Sequence, residues 1–361
     1  KPLYCTDSKA CNFDEMGNCS YHGEREDCDG QPLYCTNSKA FNHLEMGDCD
    51  TTFDSIEDLP VTTTTDNNDN TIYTLKKDIT LHTLSELEID TDMTFDGGGF
   101  SITYVGDDDW EGLFQPVSSK TGFVVKNIIL ELGSVTIKTN YGGIIGRGSS
   151  SITDYGINII NCTVLQTSSD TSGFIDEGGG GICGKDCGVG SDSNIVIENC
   201  YTTGNIKAKA GGILGKYSIA NIQNCFTTGD IIGDEAGGIC GNEIAYESNI
   251  PTKIINCYTT GVISGSGAGG IVGTVAGPCY IYNCYTIGAI SDGAAGISGD
   301  GGSASEIIIK NCISQNDGNQ TNGGDKADGD TDTLLHDGDS TNHGHISDGT
   351  WTFLHAVFTI G

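Results

Sequence analysis

The chain has 361 residues with 49 acids against 17 bases, a formal charge of −32, which repels phosphate backbones and anionic lipids and argues against a nucleic-acid partner. Its 54 glycines, three methionines and two tryptophans argue against a helical core, where each glycine costs about 1 kcal/mol. Six prolines and no three-residue glycine period exclude collagen, and no apolar run approaches the ~20 residues that insert across a bilayer.

The first fifty residues are an internal duplication. KPLYCTDSKACNFDEMGNC (1–19) aligns with QPLYCTNSKAFNHLEMGDC (31–49) at an offset of 30. Cys5 matches Cys35 and Cys19 matches Cys49, which favours Cys5–Cys19 and Cys35–Cys49 and leaves Cys11 for Cys28. Six cysteines allow fifteen connectivities, and the duplication alone prefers this one. Each bridge would add roughly 2–4 kcal/mol to a segment too small for a core. Zinc is disfavoured, because the segment has no C-x-x-C pair. The motif Cys5-Thr6-Asp7…Ala10-Cys11-Asn12-Phe13…Gly17…Cys19 resembles short spacer modules of secreted, surface-attached microbial proteins. That resemblance implies an extracellular setting and no chemistry. The chain opens at Lys1 without a leader, as a processed or trimmed chain would.

Residues 51–70 are polar and read as a linker or cap. The runs TIYTLKKDITL, MTFDGGGFSITYV, GLFQPV and FVVKNIILELGSVTI follow up to about 140. They are short and β-rich, and Gly or Asp-Gly interrupts them.

From 141 to 316 a stronger period appears. Asn-Cys pairs stand at 161, 199, 224, 256, 283 and 311, separated by 38, 25, 32, 27 and 28 residues. Between them lie AGGILG, AGGICG, AGGIVG and similar turns. A constant core with variable inserts predicts stacked units of three short parallel strands, with like positions about 4.8 Å apart. The asparagines should form an amide ladder at one bend and the isoleucines the core. The Gly-Gly pairs should supply positive φ and close approach at a corner. The expected fold class is all-β: a right-handed parallel β-helix over 51–316, behind a small disulfide-rich N-terminal segment. The N-C-Y-T-T-G…A-G-G-I-x-G units, with TFDGGGFSIT (94–103), GLF (112–114) and KNIIL (126–130) upstream, resemble the glycine-leucine-any-glycine (GLUG) coils of bacterial adhesins and proteases, and related coils of giant viruses and algae. The resemblance is specific for fold and weak for function.

Catalysis finds little footing. A polysaccharide-cleaving β-helix needs clustered carboxylates with Arg or Lys. Asp230, Asp234, Glu235, Glu243 and Glu247 fall in turn-like stretches, and no Arg follows Arg147. Cys162, Cys200, Cys225, Cys257, Cys284 and Cys312 share one column, and a recurring residue is a core hydrophobe rather than a nucleophile. Cys183 and Cys187 are close enough in sequence to close a small loop. Tyr201, Phe226, Tyr258 and Tyr285 form an aromatic column. Strand alternation puts it opposite the cysteines, and a narrow coil favours the thiols inward and the rings outward. Such rings would meet glycans or a neighbouring subunit.

Asn18, Asn161 and Asn319 head glycosylation sequons, with Asn161 inside the ladder. No cofactor is expected beyond a candidate Ca2+ site. Asp325, Asp328, Asp330 and Asp332 have oxygen-ligand spacing, although Thr333 replaces the glycine of an EF-hand; a solvated acidic loop is the rival reading. His343 and His345 lie in the same polar tail. Residues 317–361 should be an acidic Gly/Asp-rich loop ending in WTFLHAVFTIG, a cap or donor strand. The sequence thus points to a non-enzymatic extracellular structural or adhesive protein of a cell or virion surface. Such a protein would self-associate, or meet other surface proteins or glycans, in a filament, appendage or virion exterior. The alternatives are a polysaccharide-degrading β-helix and a glycan-binding module.

Overall fold

The computed structural model describes residues 56, 59–81, 87–89, 92–117, 122–148, 156–168, 174–189, 194–246, 248–291, 293–299, 307–310 and 312–314. These residues form an all-β structure built from parallel sheets, with no α-helix among them. The cysteines of the N-terminal duplication (Cys5, Cys11, Cys19, Cys28, Cys35, Cys49) lie outside the described residues. So do Asn18, Asn319, the Asp325–Asp332 loop, the tail histidines and the 351–361 segment.

The upstream strands are β1 (Val61–Thr65), β2 (Thr71–Leu75), β3 (Ile79–Leu81), β4 (Leu87–Ile89), β5 (Met93–Asp96), β6 (Ser101–Tyr104), β7 (Phe114–Pro116), β8 (Phe123–Lys126) and β9 (Ile129–Leu132). Each later repeat contributes a longer strand and a shorter one. These are β10 (Gly156–Ile160) with β11 (Thr163–Leu165), β12 (Asn194–Glu198) with β13 (Tyr201–Thr202), and β14 (Asn221–Gln223) with β15 (Phe226–Thr227). Then come β16 (Thr252–Ile255) with β17 (Tyr258–Thr259), β18 (Cys279–Tyr282) with β19 (Tyr285–Thr286), and β20 (Ile307–Lys310) with β21 (Ile313–Ser314).

The longer strands make a ten-stranded sheet in the order β1-β2-β5-β8-β10-β12-β14-β16-β18-β20. The shorter ones make a nine-stranded sheet, β21-β19-β17-β15-β13-β11-β9-β6-β3. Every pairing in these two sheets is parallel except β1 with β2. Three columns of isolated parallel bridges complete each repeat, through Ile137–Ile175–Ile206–Ile231–Ile263–Ile290, Gly142–Gly180–Gly211–Gly237–Gly269–Ala295 and Ile145–Cys183–Leu214–Cys240–Val272–Ser298. Strand alternation is visible in burial: Ile195 and Ile197 of β12 are buried and their neighbours are not. The larger apolar residues gather upstream, where Phe95, Tyr104, Trp110 and Phe114 are fully buried. The Trp110 indole donates to the Gly143 carbonyl at 2.8 Å.

The corners correct one expectation. The Gly-Gly pairs do not carry positive φ. That conformation falls two residues before each pair, at Asn140, Gly178, Lys209, Glu235, Gly267 and Gly293, with φ from 57° to 89°. The pairs serve close approach alone. A Cβ on Gly212 would sit 2.1 Å from the Gly238 carbonyl oxygen and 2.3 Å from Thr227 Cγ2. Positive φ also marks the Asn-Cys bend, at Asn161, Asn199, Asn224, Asn256 and Asn283 (55° each), and the equivalent Asn127-Ile128 bend upstream (57°). Asparagine tolerates this region better than other side chains with a Cβ.

Candidate functional site

Four columns meet at the Asn-Cys-aromatic-Thr step between the two long sheets. The asparagine column is a hydrogen-bonded ladder. Asn224 donates its amide to Asn199 at 3.1 Å, Asn256 to Asn224 at 3.1 Å and Asn283 to Asn256 at 3.2 Å. Asn161 donates to Asn127 at 3.2 Å, and Asn127 donates to the Asp96 carboxylate at 2.9 Å. A glycan on Asn161 would have to break its amide out of this ladder. Burial pushes the Asp96 carboxyl up, but hydrogen bonds from Asn127 and the Gly98 N–H, with the Lys126 ammonium at 3.2 Å, outweigh it and hold the group below the usual aspartate value.

The cysteines point inward. All ten described cysteines are buried free thiols, so Cys183 and Cys187 are in contact without a bridge. The thiols do more than fill space. Cys162 N–H donates to the Cys200 sulfur, and Cys200 N–H to the Cys225 sulfur, each at 3.4 Å. Each thiol in turn donates to the carbonyl two residues earlier, as Cys225 does to Gln223 at 3.3 Å. The bend turns a backbone N–H toward the interior, where no carbonyl lies in line, and the next repeat's sulfur accepts it. Sequence reasoning missed this role. The available signal was the cysteine's fixed place directly after a left-handed asparagine.

The following threonines are also buried. Thr202 donates its hydroxyl across the interior to the Gly212 carbonyl at 2.7 Å, and Thr227, Thr259 and Thr286 do the same to Gly238, Gly270 and Gly296 at 3.0 Å. Each threonine methyl packs over the second glycine of the preceding repeat, Thr202 over Gly181, Thr227 over Gly212 and Thr259 over Gly238, where a Cβ would collide with it. Each threonine is therefore matched to two glycines, one taking its hydroxyl and the other making room for its methyl.

The aromatic column lies on the opposite face. Tyr201, Phe226, Tyr258 and Tyr285 stack with centroids 4.7, 4.7 and 4.8 Å apart and planes within 4° of parallel. The first three rings are half-buried and Tyr285 is buried. The ring spacing equals the strand spacing, so each ring face is covered by its neighbour and the edges look outward. Two positions on stand Thr203, Thr228, Thr260 and the exposed Ile287. These eight residues carry no charge, on a chain of net charge −32.

Four of the acids flagged from sequence lie along the corners as structural acceptors, and Glu247 lies outside the described residues. Asp230 accepts from the Val262 N–H and Asp234 from the Ser266 N–H, both at 2.8 Å, each reaching into the next repeat. Glu235 accepts from Asn242 at 2.8 Å, and Glu243 pairs with Lys216 at 4.0 Å. Several bases are likewise paired, Arg147 with Asp186 and Lys207 with Asp176 at 3.4 and 3.2 Å. Among the described residues, no three His, Cys, Asp or Glu side chains converge where a metal ion would sit. No family model matches this chain, and neither does any curated protein or solved structure.

Proposed function

We propose that this chain is a non-catalytic structural protein of a cell or particle exterior, a rigid right-handed parallel β-helix carried on a disulfide-stapled spacer. Parallel crossovers are almost always right-handed, and two strand columns with three columns of isolated parallel bridges per repeat suit a helical winding. The observation that carries the reading is the uncharged face from Tyr201 to Ile287. A surface on which two copies meet must avoid desolvating charge, and interface cores are depleted in charge and enriched in aromatics. Rings already locked by stacking lose little entropy when a neighbour covers their edges. Burial also suits the ten free thiols to an oxidising exterior, because an inaccessible neutral thiol is inert.

Electron microscopy of the source cells or particles with gold-labelled antibody tests the reading. Label along an external rod, appendage or shell is expected. Label confined to the cell interior would sink it.

The enzyme alternative is less well supported, since the corner acids and bases hold one repeat to the next. A glycan-binding face is disfavoured by geometry. Sugars stack on open ring faces, and these rings present edges. Tyr258→Ala should leave retention on polysaccharide columns unchanged, and loss of such retention would revive the glycan reading.

A further inference from the structure

The ten-stranded sheet ends at β1 on one side and at β20 on the other. β1 reads VTTTT and, among the described residues, pairs only with β2, and Thr62, Thr63, Thr64 and Thr65 are exposed. Its hydrogen-bond phase can be worked out from the two ends of the hairpin. Asp66 N–H donates to the Asn70 carbonyl and Lys76 N–H to the Pro60 carbonyl, both at 3.0 Å. Antiparallel pairs alternate between bonded and non-bonded, so Thr62 and Thr64 are bonded to β2. Thr63 and Thr65 therefore turn their N–H and C=O groups away from the sheet, whereas the Val61 N–H is already bonded to the Leu59 carbonyl at 2.7 Å. Free edges are normally blunted by charge, proline or a bulge. β1 has no charged residue and no proline within it.

At the far end, β20 (IIIK) pairs with β18 on one side, and among the described residues no strand pairs its other side. β1 runs against the remaining strands of the sheet and β20 runs with them. Two copies stacked in the same orientation would therefore bring β20 of one against β1 of the next as an antiparallel pair. The joint would hold a single charge, Lys310, so it sets no like charges together in a chain of −32.

We propose that the outward edge of β1 pairs with β20 of a second copy, joining copies end to end through one continuous sheet. This rests on the structural-protein reading above. The contact is head-to-tail and its faces differ, so repetition gives an open chain of copies. A four- or five-residue strand pair buries less than the ~1,600 Å2 of a standard stable interface. The association is accordingly weak in dilute solution and needs high local concentration and screened charge.

The test is sedimentation of the full chain up to about millimolar concentration in added salt, for wild type, Thr63→Pro and Thr65→Pro. Both prolines remove an N–H that faces outward, which an edge strand tolerates, so β1–β2 pairing survives; circular dichroism and the melting midpoint check this. The expected result is a wild-type mass that rises with concentration, and a drop of about tenfold or more in the association constant for each folded variant. A wild type that stays monomeric throughout overturns the proposal, including the case in which another part of the same chain covers β20. Folded variants that associate like wild type also overturn it. If the end-to-end joint fails while antibody still marks the exterior, the structural reading stands without it. If the joint forms and the label is internal, the structural reading falls instead.

Discussion

The backbone N–H of Cys200 donates to the Cys225 sulfur of the next repeat at 3.4 Å. Cys225 is fully buried, and its thiol donates a hydrogen bond to the Gln223 carbonyl at 3.3 Å. One side chain thus satisfies a donor and an acceptor at the bend. Cys225→Ala would leave the Cys200 N–H buried without a partner and open a small void, a loss of about 2–3 kcal/mol. Cys225→Ser keeps a group able to do both jobs and should lose less. Urea unfolding of the three proteins checks the order. If Ala is as stable as Ser, the sulfur is only a filler.

Asn224 combines two demands, a φ of 55° and a place in the amide ladder. Two substitutions separate them. Asn224→Gly keeps the backbone conformation without strain and removes the ladder contacts, for a loss of about 1–2 kcal/mol. Asn224→Ala removes the contacts and adds the left-handed penalty of about 1–2 kcal/mol. Glycine should therefore melt above alanine. The reverse order would mean that helpful burial of the alanine methyl dominates at this corner.

Much of this architecture is legible in the sequence, for a physical reason. A parallel stack places like positions over one another, so the Asn, Cys, aromatic and Thr columns can be read as soon as the repeats are aligned. Their alternation gives the inward thiols and outward rings. What alignment does not supply is direction within a corner. Lys209 and Glu235 have the same left-handed backbone as Gly267 and Gly293, so residue type hid the conformation there. The Gly-Gly pairs drew the expectation of positive φ because glycine permits it, whereas the partner that requires glycine, Thr227 for Gly212, lies across the interior. The cysteine's acceptor role was hidden in the same way, because thiols and small hydrophobes look alike in a pattern.

Gly212 is the sharpest test of that threonine–glycine match. Any Cβ there meets the Gly238 carbonyl oxygen at 2.1 Å and Thr227 Cγ2 at 2.3 Å. Neither can yield without moving a neighbouring repeat, so Gly212→Ala should cost about 3 kcal/mol or more. Gly99 is the contrast. Its φ is 84°, yet nothing lies within 4 Å of a Cβ placed on it, so Gly99→Ala should cost only about 1 kcal/mol of backbone strain. Thermal melts of both variants decide the matter. Similar shifts for the two would mean that close approach at the Gly-Gly corner is relieved by a rearrangement.

The buried thiols also set an alkaline limit. Burial pushes Cys279 up to about 12 from an ordinary 9.0. Burial likewise raises Cys183, Cys200, Cys225, Cys240 and Cys284 well above 9.0. The sign follows from which state ionises first. Below pH 9 both folded and unfolded chains hold these six protons, so these six add no pH dependence there; at Cys257 burial is outweighed by hydrogen bonds with Cys225 and Cys284, which hold it below 9.0, so it adds stability as the pH rises toward 9. Above pH 9 the unfolded chain releases the six protons and the folded chain does not, so stability falls until the folded pKa is reached. Each thiol then contributes a loss of about 1.4 kcal/mol per pH unit. The six losses share one direction and one window, so they add. The melting midpoint should therefore not fall between pH 7 and about 9 and should drop by pH 10 to 10.5. Cys279→Val removes one such group at similar volume and should make the decline shallower. A midpoint unchanged through pH 10.5 would mean that these thiols are not sealed from solvent.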